Sequence, residues 1–176
     1  KQIIDPIDIA SALQEQYNDA FSVPSSQHMV DDPESFFHTN ENSGLVDIDF
    51  DKDDVMAVLK SFRQGAAPGP DGIPTSLLTN CADILAPALA IFFRRSLDEG
   101  FIPSDLKLAK IVPIYKGGGK QKAKNYRPVA LTSHIAKTFE KVIKTSLVRY
   151  LEQNFLINDD QHGFRHGRST LSQLIS

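Results

Sequence analysis

Lys107 to Tyr150 reads KLAKIVPIYKGGGKQKAKNYRPVALTSHIAKTFEKVIKTSLVRY, and this stretch decides the fold. Residues Leu108 to Tyr115 alternate as a strand does, with Ala109, Ile111 and Pro113 on one face and Lys110, Val112 and Ile114 on the other. Pro113 demotes this strand to an edge or a bulge. Gly117-Gly118-Gly119 opens a flexible loop to Asn125, and Tyr126 to Leu131 can return as the antiparallel partner. Thr132 and Ser133 are N-cap candidates for a long amphipathic helix. Its stripe is Ile135, Phe139, Val142/Ile143, Leu147 and Tyr150/Leu151, while Lys137, Lys141 and Lys144 line an exposed face.

The same stretch is strongly basic. It carries eleven lysines and arginines against Glu140 alone, a local charge of +10 in a chain whose total is -3. Such a field attracts polyanions, either phosphate backbones or nucleoside triphosphates. A solvated helix face beside a lysine-rich loop accounts equally well for the charge alone. Lys1 to Lys60 has a net charge of -10 and Ser61 to Ser176 one of +7, which suggests an acidic connector before a polyanion-binding body. An acidic lead-in of this kind can also lie over the basic surface when no ligand is bound.

Working outward, Asp5-Pro6 opens a helix whose stripe is Ala10, Leu13, Tyr17 and Ala20/Phe21. Ser22 to Gly44 is polar and aperiodic and reads as a linker or loop. His28 and His38 lie in it without partners at metal-ligand spacing. Asp51 to Asp54 caps a short helix with Val55, Val58/Leu59 and Phe62 on its apolar face and Gly65 as its stop. Ala66 to Pro74 is a stiff series of turns: either a connector between helices or a backbone able to approach a ligand closely. Its glycines match neither a P-loop nor a dinucleotide fingerprint. Leu85 to Leu97 forms a helix with Leu85, Leu89, Phe92/Phe93 and Leu97 inward and Gly100 as its stop. The lone Cys81 excludes an internal disulfide, fits a reducing compartment and reads as packing. No apolar run approaches the ~20 residues that span a bilayer. Lys1 is not a start methionine and Ser176 falls inside a helical pattern, so the chain is expected to be a piece of something longer.

Six segments then fall in a telling order: GPDGIP (Gly69 to Pro74), SLDEGFIPSDLK (Ser96 to Lys107), AKIVPIYK (Ala109 to Lys116), NYRPVAL (Asn125 to Leu131), KTFEKVI (Lys137 to Ile143) and QHGFRHGRST (Gln161 to Thr170). Together they resemble the front half of the reverse transcriptase domain of non-LTR (LINE-type, jockey-like) retrotransposons, from about Val46 to Ser176. Leu106 departs from the tryptophan that many relatives carry there, a packing change.

The resemblance implies an α+β fold: the fingers and the start of the palm of a right-hand polymerase, mostly helical with an antiparallel β-hairpin. It divides the chain into an acidic connector with one N-terminal helix (1–45) and the front of the reverse transcriptase domain (46–176). It implies an RNA-directed DNA polymerase whose partners are an RNA template, a DNA primer and dNTP, with no membrane. Lys116 and Arg127 are the implied nucleotide-binding residues. Lys110, Lys120, Lys122, Lys124, Arg165 and Arg168 are the implied nucleic-acid contacts, with Gly163 and Phe164 in the same C-terminal loop as the last two. The planar fork of Arg and the compact charge of Lys suit a multidentate phosphate anion. The full-length enzyme is expected to use Mg²⁺ held by aspartates of FxxAFD-type and YxDD motifs. Neither motif occurs here, so this segment is expected to bind no metal and not to polymerise alone. Asp159-Asp160 lacks the strand–turn–strand setting of a metal site, and Asp71 reads as a turn residue bonded to its own backbone. The implied setting is intracellular, in nucleus and cytoplasm as a ribonucleoprotein. The alternative is a non-catalytic RNA-binding or assembly module derived from such a fingers domain.

Overall fold

A computed structural model describes residues 5–18, 47–158, 160–165 and 167–175. Ala20, Phe21, the segment Ser22 to Gly44 with its two histidines, and Asp159 lie outside the described residues. The fold is α+β, helical around one two-stranded antiparallel sheet. Its elements are α1 (Pro6–Asn18), α2 (Lys52–Lys60), α3 (Thr75–Asn80), α4 (Ala82–Asp98), β1 (Ala109–Tyr115), β2 (Tyr126–Thr132), α5 (His134–Gln153) and α6 (Thr170–Ile175).

Short helices need external support, because isolated helices under ~12–15 residues are marginal in water. At α2 that support begins with a capping box. Asp51 Oδ1 accepts from the backbone N–H groups of Asp53 (2.8 Å) and Asp54 (3.0 Å), and Asp54 Oδ2 accepts from that of Asp51 (3.0 Å). The helix stops at Lys60 with Ser61 as its C-cap, not at Gly65. Phe62 therefore lies beyond it and packs against the core from the following turn. At α1, Asp5 Oδ1 accepts from the Ile7 N–H (2.7 Å), as expected of an N-cap, and Tyr17 is its one buried residue.

The core is small: Val55 and Leu59 of α2, Leu78 of α3, Ala82, Ala86 and Phe93 of α4, and Phe139 and Val142 of α5. At its centre the Phe93 and Phe139 rings stack 4.7 Å apart at 13°. The expected α4 stripe faces the core, with Ala82 and Ala86 buried more deeply than its leucines. Phe93 is buried, whereas Leu85, Leu89, Phe92 and Leu97 are only half-buried around Ala82 and Ala86. Small residues let α2 approach α4 closely, and the leucines flank that contact. Helix α4 starts three residues before the expected Leu85, at Ala82. It ends as expected, with Gly100 at φ +61° and the Phe101 N–H donating to the Ser96 carbonyl (3.0 Å). Leu147, expected inside, is 38% exposed, because the core covers only the first half of α5.

The turns after α2 are structural. The Gly72 N–H closes on the Gly69 carbonyl (3.1 Å), and Asp71 Oδ1 accepts from the Ile73 N–H (3.2 Å). At Gly69 the close approach is made to the protein itself. A Cβ on Gly69 would lie 2.6 Å from the Thr132 carbonyl and the Ser133 nitrogen. That contact pins the turns to the junction of β2 and α5. There Ser133 caps α5, its Oγ accepting from Ile135 (3.1 Å) and Ala136 (3.4 Å). His134 beside it is 3% exposed, its ring tilted against Phe62 at 5.2 Å. Burial first, then the nearby Lys137 charge, pushes the imidazole below its ordinary pKa.

The loop after α5 is held by Arg165. Its Nε and Nη2 reach Glu152 Oε1 (3.0 Å) and Oε2 (2.8 Å), and Nη1 donates to the Asn158 carbonyl (3.0 Å). The hydrogen bonds from Arg165 hold the Glu152 carboxyl below its ordinary value of 4.5.

Two outcomes follow from this packing. Phe139→Ala removes half of the central stack and should cost roughly 3–5 kcal/mol in urea unfolding; a loss below ~1 kcal/mol would mean the stack is dispensable. A carboxylate with a lowered folded pKa contributes stability that is present above its unfolded pKa and disappears as pH falls through the folded one. The stability advantage of the native chain over Arg165→Met should therefore be full at neutral pH and shrink below about pH 4.5. An advantage independent of pH down to about pH 3 would refute the ion pair.

Candidate nucleic-acid and nucleotide interface

The hairpin positions most of the basic residues expected to contact ligand. Its register pairs Lys110 with Leu131, Val112 with Val129, Pro113 with Pro128, Ile114 with Arg127 and Tyr115 with Tyr126. The ladder runs one step further, where the Lys116 N–H donates to the Asn125 carbonyl (2.9 Å). Directly opposed residues share a face, so Lys110, Lys116 and Arg127 fall on one face with Val112 and Val129. Lys116 and Arg127 are diagonal neighbours, a spacing of roughly 7–8 Å between α-carbons.

The ladder also explains the prolines. Antiparallel pairs alternate between hydrogen-bonded and non-bonded types. Counting from the bonded Lys116–Asn125 pair, Pro113 and Pro128 oppose each other at a non-bonded position, where a missing N–H costs no bond. Each then blunts one outer edge of the ribbon against further strand pairing.

The tip is cross-tied despite its three glycines. Tyr115 Oη donates to the Gly118 carbonyl, Asn125 Nδ2 to that of Gly119 (2.7 Å) and Tyr126 Oη to that of Lys120 (3.0 Å). Gly118 has φ +88°, and a Cβ there would meet Asn125 Nδ2 at 2.8 Å, so the position requires glycine. The Tyr115 and Tyr126 rings pack at 5.5 Å on the face opposite Arg127, and Lys120 Nζ lies 5.8 Å from the Tyr115 ring centre. A 3₁₀ turn, Ala123–Asn125, closes the tip, and α1 packs against it. Part of the acidic lead-in thus touches the basic loop, although no ion pair joins the two among the described residues.

Lys110, Lys116, Lys120, Lys122, Lys124 and Arg127 are all exposed, and none meets a carboxylate among the described residues. By contrast, Lys60 meets Asp83 (2.7 Å), Arg94 meets Asp47 (3.0 Å) and Arg95 meets Glu99 (2.7 Å). Repulsion among uncompensated like charges destabilises the free state, and a bound polyanion relieves it.

The C-terminal loop differs. The Arg165 guanidinium is committed to Glu152 and Asn158, as described above. Arg168 Nη1 donates to His162 Nε2 (3.1 Å), which leaves the proton on Nδ1, facing Ser172 Oγ (2.7 Å). Both arginines were expected at nucleic acid; the Arg165 bond escapes the sequence pattern because Glu152 lies outside the segment, and the Arg168–His162 bond lies within it but follows no spacing rule. Phe164 in this loop is fully exposed, at φ +62°. Among the described residues no group of His, Cys, Asp or Glu is placed to hold a metal, and no helix is long and apolar enough to cross a membrane.

No protein-family model matches the chain. Curated relatives do. It is 28% identical over 69% of its length to the probable RNA-directed DNA polymerase from transposon BS, and 29% identical over 71% to that from transposon X-element. It is also 31% identical over 69% to the RNA-directed DNA polymerase from mobile element jockey; all three relatives are from Drosophila melanogaster. The chain spans only 13–14% of the length of these relatives. With this similarity and the six ordered segments, the chain is a reverse-transcriptase-like region of a non-LTR, LINE-type element.

Proposed function

We propose that this chain is the fingers and palm entry of a retrotransposon RNA-directed DNA polymerase, contributing grip on the RNA template and on the incoming dNTP. The observation that carries this reading is the uncompensated cationic hairpin, with Lys116 and Arg127 diagonal on one face and Lys120, Lys122 and Lys124 at the tip. Arg127 offers a planar fork to two phosphate oxygens, Lys116 adds a compact charge beside it, and Lys110 extends the track along the same face. The names of the relatives support the parent activity, with an RNA template and dNTP as its partners, and a DNA primer completes the proposed set. Nucleotidyl transfer by such enzymes uses two metal ions, Mg²⁺ being the expected one. Their ligands are expected in FxxAFD-type and YxDD motifs, which these 176 residues do not contain, and the role proposed for this chain is binding and orientation. The parent would work inside the cell as a ribonucleoprotein.

The test uses a polymerase that includes this chain and its catalytic aspartates. A hydrogen bond to a charged group contributes about 1.5–3 kcal/mol net, or roughly 10- to 150-fold in affinity. Arg127→Ala should lower kcat/KM for dNTP by about that factor and leave RNA affinity nearly unchanged. Arg127→Lys should restore little, because an ammonium cannot make the bidentate contact. Lys122→Ala should do the reverse, weakening RNA and sparing dNTP kinetics. An Arg127→Ala enzyme within about twofold of the native one would remove the nucleotide role.

A further inference from the structure

Away from the hairpin, α2 and α5 leave an open groove of about 530 Å³ lined by Val58, Lys141, Lys144, Thr145, Val148 and Arg149. Three of its six lining residues are cations. None of them meets a carboxylate among the described residues, in contrast to Lys60, Arg94, Arg95 and Arg165. Lys141 is also held in place. Its Nζ sits 4.5 Å from the Phe62 ring centre and 3.4 Å from Ser61 Oγ, so part of its side-chain entropy is already spent. Val58 and Val148 supply an apolar floor between the charges.

The nearby acids limit where an anion can lie. Asp49 and Asp54 line an adjoining hollow of about 160 Å³ that shares Val58, Thr145 and Arg149. Asp54 is engaged in the α2 capping box, and Asp49 offers its backbone carbonyl to Ser146 Oγ (2.7 Å). Glu140, one turn before Lys144, is exposed and forms no ion pair with it among the described residues. An anion is therefore repelled from the Asp49 side of Arg149 and directed along Lys144 towards Lys141. From Lys141 to Arg149 the helix rises about 12 Å at ~1.5 Å per residue.

We propose that this groove is a second nucleic-acid site, in which Lys141, Lys144 and Arg149 hold the phosphate backbone of a single-stranded RNA segment outside the hairpin. The proposal rests on the reading of the chain as an RNA-binding part of a polymerase. Contact to backbone phosphates makes the site sequence-tolerant.

The test is fluorescence anisotropy with a labelled 12-nucleotide single-stranded RNA and the DNA of the same sequence, using the 176-residue chain. Lys144→Ala with Arg149→Ala should weaken RNA binding roughly tenfold at low salt. It should also make the log–log salt slope shallower by about 1.4, at ~0.7 per phosphate. The same loss should appear on top of that from Lys120, Lys122 and Lys124→Ala, and in the DNA arm. Lys144→Arg with Arg149→Lys should bind like the native chain. RNA should shift the methyl NMR signals of Val58 and Val148. If the groove variant stays within twofold of native while the hairpin variant loses affinity, the groove proposal fails and the functional reading stands. An effect confined to RNA contradicts backbone contact. A native chain that binds no RNA overturns both.

Discussion

The stacked rings of Phe93 and Phe139 are the constraint on which the rest of the structure depends. They join α4 to α5, and α2 packs against both through Val55 and Leu59. Burying two phenylalanines yields roughly 1.5–3 kcal/mol each, a large share for so small a core. The hairpin packs little apolar surface of its own and would be marginal alone. It is fixed because β2 passes through a single residue, Ser133, into the helix that this stack holds. Gly69 closes the junction from the other side. Aromatic packing thus sets the direction in which a ribbon of charges points.

The charges themselves oppose folding. Eleven cations lie in a 44-residue stretch with one acid, and the hairpin members meet no carboxylate among the described residues. The fold tolerates them by keeping them exposed in high dielectric, where repulsion is small. It places carboxylates beside Lys60, Arg94, Arg95 and Arg165, whereas no cation of the hairpin or of α5 forms an ion pair among the described residues. A surface built for solubility alone would intersperse both signs.

Much of this was legible in the sequence. Strand alternation from Leu108, the glycine loop and the return at Tyr126 fixed the hairpin to within a residue or two at its ends. The Asp51 cap, the Ser133 cap and the Gly100 stop were readable because capping is local chemistry. What was not legible depended on distant partners. Helix α3 is six residues long, too short to show a period. Ala82 and Ala86 carry the α2–α4 contact, although leucines are the usual marker of a core face. The end of α2 at Lys60 was masked because Phe62 continues the apolar pattern after the helix has stopped. The Arg165–Glu152 pair and the close approach of Gly69 to Thr132 link residues 13 and 63 positions apart, and no local pattern announces them.

The central claim is that the exposed cations between Lys107 and Arg149 form a working polyanion surface. The measurement that tests it most directly is the affinity of the chain for single-stranded RNA across a salt series, with a chain lacking the acidic residues 1–45 in parallel. Counterion release predicts a log–log slope of about -0.7 per neutralised phosphate, so three to five contacts give roughly -2 to -3.5. A flat response in both chains would contradict the account, because no cationic surface can bind phosphate without displacing salt.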